Sequence, residues 1–199
     1  MSKFENEKFF YDRTDVKEIE IGAVRTKIYR IISKINFPTQ RETVVEGTKG
    51  GYCALGTLSE QGNCWVDKFS VVGPDCFVAD GAYVERSLLA HDCTISGRSL
   101  VFDSQIIPKA KAALAEKSKV LKSKIKGDLN LKEEASIVAS TVNGNLKMES
   151  NSQLLRCDIK TEKMISVVGN KRVVDAKIEG FGTIGISESI SIEPLNLEK

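Results

Sequence analysis

The chain has 199 residues, of which 41% are hydrophobic, 28% charged and 7% aromatic, the make-up of one folded domain or of one domain with a small appendage. Its 29 basic and 27 acidic side chains leave a net charge of +2, so overall charge selects neither for nor against an anionic partner. Five cysteines (Cys53, Cys64, Cys76, Cys93, Cys157) without a CxxC pair argue against a disulfide framework and against a structural zinc site, and the single histidine, His91, excludes any site on one chain that needs two.

No apolar run approaches the roughly 18 residues of a membrane span, and the polar start MSKFENEKFF is unlike a secretory signal. A cytoplasmic protein with no membrane partner is the expectation. In chain order, the stretch Val16–Phe37 comes first. Ile19, Ile21 and the run Ile28 to Ile32 alternate as strands do, whereas Val24, Ile28, Ile31 and Ile35 would also make a helical stripe; strands are the favoured reading. Residues 1–60 do not share the repeat that follows, and they are expected to form a small N-terminal cap over its open end.

From residue 61 onward the chain repeats itself. SKVLKSKIKGDLNLKEE, ASIVASTVNGNLKMESN and SQLLRCDIKTEKMI align with a shift of 17 residues, so that Val120 matches Ile137 and Leu154, and Ile125 matches Val142 and Ile159. Steps of six, six and five extend the aliphatic series back through Val66, Val72, Val78, Val84, Leu89, Ile95, Val101, Ile106 and Ala112, and forward to Leu195. Two residues before most of these sits a small side chain, among them Cys64, Ser70, Cys76, Ala82, Cys93, Ser99 and Cys157, and strand alternation points both inward. The cysteines therefore read as small packing residues. Such spacing predicts an all-β chain, a triangular parallel β-solenoid of about seven coils over residues 61–199.

The repeat resembles the left-handed β-helix of hexapeptide-repeat proteins, which implies the hand. Tyr29-Arg30-Ile31, Gly50-Gly51-Tyr52 and Leu58-Ser59-Glu60-Gln61-Gly62-Asn63-Cys64-Trp65-Val66 resemble the opening module of phage and prophage β-helix proteins, in which a "YRI…GG(Y/W)…LSQ-G(N/D)CWV" signature leads into imperfect hexad coils. The likeness covers residues 26–84 in motif detail and the remainder in repeat style. It implies a fold and little biochemistry, because that family is largely without an assigned activity.

Three sets of residues are candidates for function. Leu89-Ala90-His91-Asp92-Cys93-Thr94-Ile95 resembles a stretch of the left-handed β-helix acyltransferases that act on UDP-N-acetylglucosamine. That resemblance implies His91 as general base, oriented by Asp92. Leu88 stands where that family has a second His, and the family's C-terminal helical region has no counterpart, so catalysis is the alternative rather than the first reading. Lys109, Lys111, Lys117, Lys119, Lys122, Lys124 and Lys126 fall within 18 residues and could attract an anionic partner. No aromatic residue is interleaved with them, so nucleic acid is not expected. Third, Phe102, Leu121, Val138, Leu155 and Val174 each follow an inward aliphatic and would stack in one line. This stripe either turns inward at a shortened corner or stands outward as an association surface.

The expectation is thus a non-enzymatic β-helix scaffold or protein-binding module of phage or prophage type, without cofactor or metal. It would self-associate as a dimer or trimer and bind a host protein, in the host cytoplasm if phage-encoded.

Overall fold

A computed structural model describes residues 4–21, 24–90 and 93–103 and, from 105 to 179, the strand residues together with Ala139 and Arg156. The long strands β1 (Phe9–Ile21) and β2 (Val24–Ser33) pair antiparallel. Strands β3 (Phe37–Pro38) and β4 (Thr43–Val44) make a separate antiparallel pair, and β5 (Lys49–Cys53) lies antiparallel to β2. The strands then become short: β6 (Trp65–Val66), β7 (Val71–Val72), β8 (Phe77–Val78), β9 (Tyr83–Glu85), β10 (Leu88–Leu89), β11 (Cys93–Ile95), β12 (Leu100–Phe102), β13 (Gln105–Ile107) and β14 (Ala112–Leu114). Next come β15 (Lys119–Leu121), β16 (Lys124–Lys126), β17 (Leu129–Leu131), β18 (Ser136–Val138), β19 (Thr141–Val142) and β20 (Leu146–Glu149). The last described strands are β21 (Gln153–Leu155), β22 (Asp158–Lys160), β23 (Ile165–Val168), β24 (Arg172–Val174) and β25 (Lys177–Glu179).

These strands fall into a ten-stranded sheet ordered β1-β2-β5-β7-β10-β13-β16-β19-β22-β25, a seven-stranded sheet ordered β24-β21-β18-β15-β12-β9-β6, a six-stranded sheet ordered β23-β20-β17-β14-β11-β8, and the β3-β4 pair. Within the seven-stranded sheet the register is regular: Val66 faces Val84, Val84 faces Val101, Val101 faces Val120, and Val120 faces Ile137. Val66, Val72, Val78, Val84, Leu89, Ile95 and Val101 are all fully buried, with Cys64, Cys76, Ala82 and Cys93 packed in the same core. Burying a branched aliphatic side chain contributes roughly 1.5–3 kcal/mol, so this series adds to the cohesion that Phe9, Ile28, Ile31 and Trp65, also fully buried, supply in the first half of the chain.

The expected left-handed triangular β-helix of about seven coils with a small N-terminal cap is corrected by this arrangement. The chain is all-β, but it is built of several sheets, parallel and mixed, none of which closes. Residues 9–53 supply three strands of the largest sheet, and β5 hydrogen-bonds in parallel to β7, with Tyr52 opposite Val71 and Cys53 opposite Val72. The physical reason is an edge: β5 offers a full row of backbone groups on each side, one taken by β2 and the other by β7. Antiparallel and parallel pairing therefore meet in a single sheet.

Local sequence explains how this junction forms. Gly50 and Gly51 are buried, and a Cβ on Gly51 would lie 2.6 Å from the Ser70 carbonyl oxygen and 2.7 Å from that of Asp67. Only glycine lets β5 approach the turn before β7 so closely. On the inner side, Phe37 packs edge-on against Trp65, with ring centroids 5.6 Å apart. The turn at residues 39–42 is fastened to the seven-stranded sheet: Gln40 Nε2 donates to the carbonyl oxygens of Gly81 and Ser99, and Tyr83 Oη donates to Glu42 Oε1 at 2.8 Å. Burial holds the Tyr83 phenol well above its ordinary pKa, so it is a donor at any ordinary pH.

Candidate functional site

The seven-stranded sheet brings one set of candidate residues together. Its register places Phe102 opposite Leu121, Leu121 opposite Val138, Val138 opposite Leu155, and Leu155 opposite Val174. One strand earlier the same line carries Glu85. Strand β12 shows which way the line faces at its start, because Val101 is fully buried while Leu100 and Phe102 on either side of it are half-buried. Alternation along a strand then sets Phe102 on the outer face. Its ring is flanked by guanidinium groups, Arg86 at 4.2 Å and Arg41 at 5.9 Å from the centroid. Those cations are themselves tied down, Arg86 to Asp103 at 3.3 Å and Arg41 to Glu85 at 3.1 Å. Val138 is half-buried as well. The side chains of Leu121, Leu155 and Val174 lie outside what the structure describes.

A recurring backbone feature follows the line. Arg86, Asp103, Ala139 and Arg156, each directly after Glu85, Phe102, Val138 or Leu155, all have φ between 47° and 50°. In these four passages one left-handed residue turns the chain from the seven-stranded sheet into the ten-stranded one over the shortened five-residue step.

The other candidates are not brought into view. His91, Asp92, Lys109, Lys111, Lys117 and Lys122 lie outside the described residues, as do the side chains of Lys119, Lys124 and Lys126. Of the cysteines, Cys53, Cys64, Cys76 and Cys93 are free thiols and buried, and Cys157 is outside the described set. Burial pushes the Cys53 and Cys64 thiols up, which suits packing and not nucleophilic attack. Among the described residues, no group of three or more His, Cys, Asp or Glu side chains is placed to hold a metal ion. No helix of the described residues is long and apolar enough to cross a membrane.

Sequence reasoning missed a basic and aromatic cleft of about 500 Å3, lined by Lys17, Arg30, Lys49, Tyr52, Lys68 and Phe69 together with Ser70 and Val71. It sits on the face of the ten-stranded sheet where Ile28, Tyr52 and Ala54 form a second small core with Ile19 and Val71. A bulge builds it: Asp12 pairs with Arg30 but Val16 with Tyr29, and the three residues between are looped out. The Asp12 carboxylate fixes that loop by accepting from the Thr14 amide at 2.8 Å and the Thr14 hydroxyl at 2.7 Å. The bulge delivers Asp15, which accepts from Tyr52 Oη at 2.6 Å and from Arg30 Nε at 3.2 Å. These two donors hold the Asp15 carboxyl below the usual carboxylate range, the tyrosine more than the arginine. Arg30 also donates through Nη1 to the carbonyl oxygens of Gly50 at 2.8 Å and Lys68 at 3.0 Å, and it lies over the Tyr52 ring at 3.9 Å. Lys17 Nζ lies 4.1 Å from the same ring centroid, and Lys68 Nζ 4.8 Å from that of Phe69. The lysines come from β1, β5 and the β6–β7 turn, so nothing local in the sequence announces the cluster; Tyr29-Arg30 and Gly50-Gly51-Tyr52, read as a motif of fold, were its one trace.

No protein-family model matches the chain, and no curated protein matches it.

Proposed function

We propose that the protein is a non-enzymatic scaffold that self-associates through the outer face of its seven-stranded sheet, with a second copy of this chain as the partner seated there. The observation that carries this reading is the register in which Phe102, Leu121, Val138, Leu155 and Val174 follow one another on five adjacent strands. At the usual strand spacing of about 4.8 Å such a line runs roughly 19 Å. A straight, evenly spaced row is complementary to its own copy under a twofold axis, and facing sheets pack about 10 Å apart.

The seam is short beside the roughly 800 Å2 per partner of a standard interface, so association is concentration-dependent. The phage or prophage likeness of the opening motif, a host protein as a further partner and a cytoplasmic location belong to the same proposal.

Light scattering on a dilution series tests it. The parent chain should gain mass with concentration, and the Leu121→Lys/Leu155→Lys double variant should stay a folded monomer. The His91→Ala variant should associate as the parent does and show the same thioester release, at the level of the buffer, with acyl-CoA and UDP-sugars. A parent that is monomeric throughout, or a double variant of unchanged mass, defeats the reading; thioester turnover lost in His91→Ala replaces it by the acyltransferase.

A further inference from the structure

We propose that the cleft between Lys17, Lys49, Lys68 and Phe69 binds a nucleoside phosphate, free or as part of a single strand, with phosphate among the lysines and the base on Phe69. The argument begins with charge. Four cations and no carboxylate line the cleft. Of the acids beside it, Asp15 is shared between Arg30 and Tyr52, Asp67 is taken up by the Phe69 and Arg86 amides and the Ser70 hydroxyl, and Asp12 offsets part of the Lys49 charge, so the four cations leave the cleft net positive. A chain with a net charge of only +2 has concentrated them on one face. Lys17 and Lys68 rest on aromatic rings instead of on carboxylates, which holds them in place without cancelling their charge. Cations that line one cleft raise its potential, and an anion placed there is attracted by all of them.

The second observation is the ring. Phe69 is 67% exposed, well above the other large apolar side chains that stand in solvent among the described residues, such as Val45 at 53% and Phe77 at 42%. It stands on the wall of a basic cleft, where an aromatic face can stack on a base while cations take the phosphate. The Lys-rich stretch at 109–126 has no such aromatic residue, and that lack argued against nucleotides there; here the ring is present. The cleft's volume of about 500 Å3 is within the ordinary range for small-ligand sites.

Arg30 plays a different part. Its Nε and Nη1 are committed to Asp15 and to the Gly50 and Lys68 carbonyls, so it is a positioning residue that fixes the turn carrying Lys68 and Phe69. The lysines, as point charges on flexible stems, donate to phosphate oxygens from several directions, where an arginine fork would impose one.

Calorimetric titration of the full chain at low salt, with ATP, inorganic triphosphate, adenosine and a short thymidine oligonucleotide as probes, tests the assignment. ATP should bind more tightly than triphosphate and adenosine. Phe69→Ala should weaken ATP by about fivefold or more, the loss of one stacked base, and leave triphosphate unchanged. Lys68→Gln should weaken both, and added salt should flatten the difference between variant and parent. Tighter binding of the oligonucleotide than of ATP identifies a strand as the source; the reverse order identifies the free nucleotide. The proposal fails if neither ATP nor the oligonucleotide binds, if triphosphate equals ATP, or if Phe69→Ala and Lys68→Gln both bind as the parent does. All these side chains are exposed, so circular dichroism of the variants should match the parent.

Discussion

Lys8 Nζ donates to the carbonyl oxygen of Cys64 at 2.8 Å and lies 3.6 Å from its sulfur, in a part of the core where Lys8 itself is only 4% exposed. A second carbonyl, that of Gly62, accepts from it at 3.1 Å, and the Phe37 ring lies 4.6 Å away. This ammonium pins the start of β1 to the loop that leads into β6. Burial lowers its pKa from the ordinary lysine value of 10.5, against a smaller opposing pull from Cys64. The unfolded chain then holds the Lys8 proton more tightly than the folded one. Between the lowered folded value and the unfolded one, stability rises with pH.

Lys8→Met removes that titration. Melting temperatures of parent and variant between neutral pH and about pH 10 should diverge, the parent gaining on the variant as the pH rises. Cys53 and Tyr11, whose pKa values burial raises, are present in both proteins and drop out of the difference, whereas Cys64 loses the lowering pull of Lys8 in the variant, so its thiol is held higher there and costs the variant further stability as the pH rises. Curves that stay parallel would show that Lys8 is not charged against its surroundings.

Gly51→Ala should be among the most damaging single methyl additions. The new Cβ would meet the Ser70 and Asp67 carbonyl oxygens and Val66 Cγ1, all within 2.7 Å. Both carbonyls are already engaged, Ser70 by the Tyr52 amide and Asp67 by the Ser70 amide, so neither can retreat without breaking the turn. A loss of about 3 kcal/mol or more by denaturant titration is expected. Gly56→Ala is the control: its φ is 78° but a Cβ there meets nothing within 4 Å, so it should cost only about 1–2 kcal/mol of left-handed strain. Equal losses in the two variants would remove close approach as the reason for the glycine.

Ala139→Gly should stabilise. Ala139 has φ 50° and an exposed side chain, so the methyl contributes strain and little packing. Relief of about 1–2 kcal/mol, less the roughly 0.5–1 kcal/mol that glycine costs through the unfolded chain, leaves a net gain of up to about 1.5 kcal/mol. A variant less stable than the parent would mean that the methyl packs against a neighbour.

The same turn shows how far the sequence can be read. Spacing alone identifies the inward residues, and Val66 through Val101 are fully buried where the aliphatic steps put them. Strands in Val16–Phe37 were also legible, from the alternation around Ile28 to Ile32, although β1 begins earlier, at Phe9, where Phe9 and Tyr11 are both buried. Periodicity reports which face a side chain takes. It says nothing of which edge a strand offers, so the joining of β2, β5 and β7 into one mixed sheet, and with it the failure of the regular β-helix, was beyond its reach. Nor does it report a bulge, and the basic cleft depends on one: Asp15 reaches Arg30 and Tyr52 only because three residues loop out of β1.

The four buried thiols among the described residues turn this protein into its own stopwatch. Cys53 lies in the ten-stranded sheet and Cys93 in the six-stranded one, Cys64 immediately precedes the first strand of the seven-stranded sheet, and Cys76 immediately precedes β8. A thiol reagent can reach each of them only when its own neighbourhood opens, so the order in which they are alkylated under native conditions ranks the local opening free energies of three sheets in one experiment. Cys53, clamped between β2 and β7, should be modified last.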